Sequence, residues 1–120
     1  MNTQHQNPLK DKSYEFALKI IKLSRQLHDD SKEFILANQI LKSGTSIGAN
    51  VEEALGNQSV RDFQSKMSIA YKEARETDYW LRLLKDSDTI STEVYNDYNQ
   101  ALTELLKMLG SIQKTMKSKM

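Results

Sequence analysis

Apolar residues recur along this chain at the spacing of an α-helix in four separate segments. The first segment carries Phe16, Ile20, Leu23 and Leu27. Steps of four, three and four place these side chains on one side of a helix. One proline and four glycines among 120 residues leave few points at which helices would break. The sequence therefore predicts an all-α fold, with helices over about residues 13–28, 32–55, 59–85 and 91–117 and tails at 1–12 and 118–120.

The joints between the predicted helices are short, which makes sequential helices antiparallel neighbours. The last helix shows the clearest stripe, formed by Tyr95, Tyr98, Leu102, Leu105, Leu109, Ile112 and Met116. Alternating steps of three and four are typical of helices that pack side by side. We expect a single domain with the architecture of an antiparallel up-down-up-down four-helix bundle. An arrangement of three helices or a coiled coil would leave one amphipathic face without a partner.

Composition excludes several classes of protein. The chain has no cysteine, so disulfides and thiolate metal sites are absent. Its 17 basic and 16 acidic residues give a net charge of +1, without the strongly basic balance of most dedicated nucleic-acid binders. No apolar run is long enough to span a bilayer, and residues 1–8 lack the apolar segment of a secretory signal. We expect a cytoplasmic protein that does not act at a membrane.

Residues that carry catalysis are scarce. The histidines are His5, in the predicted N-terminal tail, and His28, where a cation suits the end of the first helix. The Glu-x-x-His pairs of di-metal bundles, phosphate loops and nucleophile elbows do not occur. The sequence predicts no catalytic residue, no metal site and no cofactor. An enzyme site in the core is the weakest alternative, because the helix stripes offer almost only apolar side chains.

A line of polar residues follows the second predicted helix. It consists of Gln39, Ser43, Ser46, Asn50 and Glu53. Steps of four, three, four and three put all five on one face. One interpretation is the solvent-facing side of the helix. The other is a hydrogen-bonded contact with another helix or subunit. Small amides and hydroxyls suit such a contact, because buried polar groups must find hydrogen-bond partners.

The third predicted helix carries a second apolar strip beside its main stripe. The main stripe comprises Phe63, Met67, Ala70, Ala74, Thr77, Leu81 and Leu84. Ile69, Trp80 and Leu83 do not lie on it. A monomeric bundle would gain little from these extra apolar residues. We therefore predict that Ile69, Trp80 and Leu83 form an interface between copies of the chain.

Basic residues concentrate on the first helix and at the end of the last. The candidates for contact with phosphates are Lys12, Lys19, Lys22, Arg25, Lys114, Lys117 and Lys119. Platforms on which bases would stack are not expected, because Tyr95 and Tyr98 belong to the core stripe. Binding would thus act on the nucleic-acid backbone. The alternative is a loose basic terminus that only improves solubility.

Several segments together resemble one family. Residues 39–54 (QILKSGTSIGANVEEA), Asp62-Phe63, residues 66–77 (KMSIAYKEARET) and residues 79–84 (YWLRLL) are similar to the pattern of the four-helix-bundle proteins linked to intervening sequences in bacterial 23S rRNA genes. The resemblance covers roughly residues 13 to 110. It departs at Ala54 and Leu55, where many members have a glycine.

The resemblance implies a bundle that assembles as a ring, typically a pentamer. It also implies kinship with the accessory proteins of diversity-generating retroelements, which bind RNA and a reverse transcriptase. No catalytic residues carry over from it. The positions that match the family pattern are Gln39, Ser46, Asn50, Glu53, Glu73 and Glu76.

Two functional hypotheses follow from the sequence. The first is a non-catalytic homo-oligomer that binds RNA through basic surfaces summed over its subunits. The second is a scaffold that binds a protein partner, for example as the accessory subunit of a reverse transcriptase.

Overall fold

A computed structural model of the chain describes residues 7–56 and 59–118. Across these residues it contains four α-helices and no β-strand. The helices are α1 (Pro8–Asp29), α2 (Phe34–Gly56), α3 (Val60–Asp86) and α4 (Thr92–Ser118). The predicted all-α, four-helix fold is confirmed. None of these helices has an apolar stretch that would carry it through a bilayer.

Helix α1 begins at Pro8, so the predicted start at Ser13 and the predicted tail over residues 1–12 are wrong for residues 8–12. The side chain of Asn7 caps the helix by accepting a hydrogen bond of 3.0 Å from the backbone N–H of Lys10. Pro8 follows at the first helical position, where its fixed φ fits and its missing N–H costs nothing. Ser13 is buried within the helix instead of capping it.

Helix α2 begins at Phe34, slightly later than the predicted residue 32. The reason is Lys32, whose φ of 56° lies in the left-handed region that helical residues do not adopt. Serine side chains cap the starts of the other two helices. Ser59 accepts from the backbone N–H of Asp62 at 3.1 Å, and Ser91 accepts from that of Val94 at 3.1 Å.

The core lies where the predicted stripes meet. The α1 stripe of Phe16, Ile20, Leu23 and Leu27 is buried, with at most 2% of each residue exposed. In α4, Tyr98, Leu102, Leu105 and Leu109 are buried, whereas Tyr95, Ile112 and Met116 are only half-buried. An ion pair between Lys12 and Glu104 shows the register of α1 against α4. The last turns of α4 therefore extend past the first residue of α1, which leaves Ile112 and Met116 less covered.

The helices contact one another in cyclic order. α1 packs on α2, α2 on α3, α3 on α4 and α4 on α1. Ser24, late in α1, donates a buried hydrogen bond of 3.0 Å to the carbonyl oxygen of Ala37, early in α2. Toward the other end of the same pair, Gly48 faces Ser13. Such pairings are compatible with the predicted antiparallel order.

Two glycines let α1 approach α2 closely. A Cβ added at Gly44 would lie 2.7 Å from Cγ1 of Ile20. One added at Gly48 would lie 3.3 Å from the carbonyl oxygen of Ser13. The absent side chains therefore permit this helix contact, which compensates for the low helix propensity of glycine.

Candidate functional site

The polar line of α2 lies on the side of that helix that meets α3. Ser43 is fully buried, and its Oγ is 2.9 Å from Oγ1 of Thr77 on α3. Further along, Glu53 forms an ion pair of 2.8 Å with Lys66 of α3. The middle of the line therefore contacts another helix of the same chain, and its end reaches the solvent.

The remaining polar-line residues are half-buried and border this contact. Ser46 donates a hydrogen bond of 2.6 Å to the carbonyl oxygen of Lys42, and Asn50 Nδ2 donates one of 2.8 Å to the carbonyl oxygen of Ser46. Both bonds stay within α2. Gln39 is half-buried at the other end of the line. The line is neither a wholly solvated face nor a wholly internal one.

The apolar strip on α3 includes two carboxylates. Ile69, Glu73, Glu76, Trp80 and Leu83 follow one another at steps of four, three, four and three, so they form one stripe. Ile69 and Leu83 each remain 36% exposed, and Trp80 is half-buried. The indole N–H of Trp80 donates to Glu76 Oε2 at 3.3 Å. The apolar strip, with Glu73 and Glu76 between its apolar residues, is thus partly open to solvent in the single chain.

The polar line and the apolar strip border the same side of the α2–α3 contact. The Ser43–Thr77 hydrogen bond orients the two helices, and Lys42 of α2 is close enough to Glu73 of α3 to influence its pKa. Helical spacing then brings both rows to one outer surface. We call this surface the α2–α3 face; it consists of Gln39, Ser46, Asn50, Glu53, Ile69, Glu73, Glu76, Trp80 and Leu83, and the buried Ser43 lies beneath it.

Glu73 is the perturbed titratable group of this face. Burial raises the pKa of its carboxyl group above the ordinary value of 4.5, and the neighbouring charge of Glu76 raises it further. Lys72 and Lys42 act in the opposite direction. The carboxyl group is therefore already partly desolvated before anything covers the face.

Two of the predicted phosphate-binding residues are paired with acids. Lys12 Nζ lies 2.9 Å from Glu104, whose hydrogen bond raises the lysine pKa. Lys19 Nζ lies 2.9 Å from Asp97 and 4.8 Å from the ring centroid of Tyr98. Both lysines hold α1 against α4, so their charges are partly neutralised within the chain.

The other predicted basic residues do not converge. Lys22 and Arg25 are exposed on α1. Lys114 and Lys117 are exposed near the end of α4, where Lys117 borders the start of α3 beside Arg61. Lys119 and His5 lie outside the described residues. The structure thus divides the predicted set among separate surfaces.

A groove between α3 and α4 contains residues that the sequence prediction missed. Tyr71, Arg75, Tyr79 and Arg82 line it on α3, and Leu106 lines it on α4. Tyr79 is 47% exposed, and the expectation that stacking platforms are lacking considered Tyr95 and Tyr98 alone. The signal was present in the sequence, since tyrosine and arginine alternate at steps of four, four and three.

Within residues 7–56 and 59–118, no group of three or more histidine or acidic side chains is placed to hold a metal ion. The predicted lack of catalytic residues and cofactors stays a prediction.

Comparison with known proteins identifies the family. The model of the 23S rRNA-intervening sequence protein family matches residues 6–111. The chain belongs to this family. No curated protein matches it.

A solved structure of similar fold supports the assignment. It is the crystal structure of a protein of unknown function from the S23 ribosomal protein family of Bacteroides thetaiotaomicron VPI-5482. The two chains are 51% identical and superpose with a TM-score of 0.86, over 88% of this chain and 98% of the other. The relation to retroelement accessory proteins stays a prediction.

The residues predicted from the sequence to match the family pattern lie on one surface. Gln39, Ser46, Asn50 and Glu53 on α2, and Glu73 and Glu76 on α3, all belong to the α2–α3 face. The groove lined by Tyr71 and Arg75 is a separate surface of the same helix. In this family member, the α2–α3 face thus contains both the polar residues predicted to match the family pattern and exposed apolar residues.

Proposed function

We propose that this member of the 23S rRNA-intervening sequence family is a non-catalytic up-down-up-down bundle that assembles with copies of itself and binds RNA in the cytoplasm. The observation that carries the proposal is the α2–α3 face. Two rows of residues that look unrelated in the sequence form one surface there, with apolar groups flanked by small polar ones. Ile69, Trp80 and Leu83 supply the apolar area of a protein–protein contact, and Glu73 and Glu76 add charged groups within it.

A second copy of the chain is the occupant that the face fits. Trp80 is the type of residue that dominates binding energy when a partner excludes water from it. Ile69 and Leu83 extend the apolar surface on either side of it. Glu73 and Glu76 restrict the choice of partner, because burying them opposite an acidic or purely apolar surface would be costly.

The assembly we propose is a closed ring. In a ring every subunit repeats one contact, in which the α2–α3 face meets a different surface of the next copy. A pentamer is the number that the resemblance implies. Each subunit then presents its outward cations at regular intervals around the ring.

RNA binding would depend on this repetition. One chain has a net charge of +1, and the charges of Lys12 and Lys19 are partly engaged by acids. The exposed Lys22, Arg25, Lys114 and Lys117 remain the candidates for phosphate contact, and Lys119 adds to them. Affinity for a polyanion rises with each neutralised phosphate, so several copies would bind where one does not. The family name favours RNA as this polyanion.

A titration tests the RNA part of the proposal. A labelled RNA hairpin is titrated with the full chain at several salt concentrations, and binding is followed by fluorescence anisotropy. We expect an affinity that falls steeply with salt. Replacing Lys22 and Arg25 by glutamine should reduce the slope, whereas the same change at Lys12 should have a smaller effect. Absence of binding at low salt, or binding indifferent to salt, would refute this part.

A protein partner is the second candidate, because the α2–α3 face is open in the single chain and would accept another protein equally well. An accessory role beside a reverse transcriptase belongs to this alternative. Affinity capture with and without nuclease separates the two. A partner that survives nuclease treatment, and is lost when Leu83 is replaced by aspartate, would favour the scaffold.

A further inference from the structure

We propose that the groove between α3 and α4 binds unpaired nucleotides of RNA, with Tyr71 and Tyr79 stacking on bases and Lys72, Arg75 and Arg82 contacting phosphates. This inference rests on the proposed RNA-binding function. It adds a second contact, at residues other than the predicted cations of α1 and α4.

The groove has the size of a ligand site. It is an open groove of about 640 Å³ along the outer side of α3, to which α4 contributes Leu106. Clefts that hold small ligands span about 300–1,000 Å³. A nucleotide would therefore find a concave surface here, which a single exposed helix face does not provide.

Two tyrosine–arginine pairs are arranged along this groove. The guanidinium carbon of Arg75 lies 6.0 Å from the ring centroid of Tyr71, and that of Arg82 lies 5.8 Å from the ring centroid of Tyr79. The two tyrosines are two helical turns apart, which corresponds to about 12 Å. A strand that follows α3 would meet the exposed ring of Tyr79 and the open side of the half-buried Tyr71, each beside a cation. Rings and guanidinium planes are both surfaces on which bases stack.

The charges in the groove favour an anion. Among the ion pairs of the described residues, none involves Lys72 or Arg75. Arg82 bonds Asp78 one turn away at 3.1 Å, with both side chains partly exposed. Such surface pairs contribute little free energy, so a phosphate can replace the carboxylate.

The carboxylate of Glu76 also borders the groove, but it accepts the hydrogen bond from the indole of Trp80 on the neighbouring side of α3. The charges in the groove that take part in none of these contacts are therefore the positive ones of Lys72 and Arg75.

Unpaired RNA fits this combination better than a duplex or an acidic peptide. A duplex keeps its bases stacked on one another, so it could use the cations but not the tyrosine rings. An acidic peptide would likewise leave the rings unused. The α2–α3 face lies about a third of a turn around α3 from the groove, with Glu76 between the two. The groove is therefore distinct from the face that we propose for self-assembly.

Anisotropy titrations with two RNA probes test the inference. The probes are an oligouridylate of about 12 nucleotides and a hairpin whose nucleotides are nearly all paired. The full chain is compared with a variant that carries Tyr71→Leu and Tyr79→Leu. The matched control is Tyr14→Leu, which removes a tyrosine that is 58% exposed on α1. Circular dichroism and light scattering verify that each variant keeps its helices and its assembly state.

We expect the double tyrosine variant to bind the oligouridylate about tenfold or more weakly. The hairpin should be affected much less, and the Tyr14 control should bind as the parent chain does. Arg75→Gln should lower the salt slope for the oligouridylate by about 0.7, the value of one lost phosphate contact on a single strand.

The outcomes separate the groove from the general function. If the parent chain binds the oligouridylate and the double tyrosine variant binds it equally well, the groove is refuted and RNA binding stands. Equal competition by an acidic peptide would refute the stacking role. If the parent chain binds neither probe, both proposals fail.

Discussion

Thr77 and Ser43 form a hydrogen bond of 2.9 Å between their hydroxyl groups, and both residues are fully buried between α3 and α2. The same Thr77 oxygen lies 2.8 Å from the carbonyl oxygen of Glu73. This contact lies between the two helices, behind the surface at which the polar line and the apolar strip meet. It connects the internal packing of the bundle to the face that we propose for self-assembly.

Thr77→Val should therefore destabilise the chain. The substitution keeps the shape of the side chain but leaves the buried Ser43 hydroxyl without its partner, at a cost of about 1–3 kcal/mol. Urea unfolding followed by circular dichroism measures the loss. The double variant with Ser43→Ala should recover part of it, because neither polar group then remains unpaired. A double variant whose loss equals the sum of the two single losses would contradict this account.

Gly44→Ala and Gly110→Ala should have opposite effects on stability. Both glycines lie inside helices, where alanine is favoured by about 1 kcal/mol. The added Cβ at Gly44 would press against Ile20 at 2.7 Å, whereas the one at Gly110 would meet Tyr71 at an ordinary 3.7 Å. We expect Gly44→Ala to cost about 1–3 kcal/mol through overpacking and Gly110→Ala to stabilise. Thermal unfolding of the two variants measures the change in melting temperature relative to the parent chain. Changes of the same sign in both variants would be inconsistent with this packing.

Glu73→Gln should flatten the dependence of stability on pH. Burial and Glu76 raise the pKa of Glu73 in the folded chain, so the folded state holds this proton more tightly than the unfolded state does. The resulting stabilisation is present below the ordinary value of 4.5 and is lost as pH rises through the higher folded value.

Removing the charge should therefore make the chain more stable near neutral pH. Urea midpoints measured from pH 4 to pH 8 test this, with Glu93→Gln, an exposed residue in the first turn of α4, as the control. A steeper pH profile for Glu73→Gln than for the parent chain would show that the carboxylate stabilises the fold.

The helices and their core sides could be predicted because helical periodicity is local. The spacing of Phe16 and Leu23 is enough to predict that they lie on the core side of α1. The sequence also contains a signal for the start of α1 at Pro8, since an asparagine followed by proline is a common helix start. The apolar stripe indicates a later start, because its regularly spaced residues begin at Phe16.

Contacts between distant segments could not be predicted in this way. The partner of Lys12 is Glu104, 92 residues away, and that of Lys19 is Asp97, 78 residues away. Their pairing depends on the register of α1 against α4, which only packing determines. For the same reason the sequence indicated the polar line and the apolar strip separately, but not that they meet.

The mass of the purified protein in solution tests the central claim most directly. Light scattering coupled to size exclusion measures it for the parent chain and for a variant with Ile69→Glu and Leu83→Glu. Both residues are partly exposed in the single chain, so the variant should keep its helices. We predict about five times the subunit mass of 13.8 kDa for the parent chain and a single subunit for the variant. A parent chain that stays at 13.8 kDa at every concentration, or a helical variant that assembles as the parent does, would contradict the account.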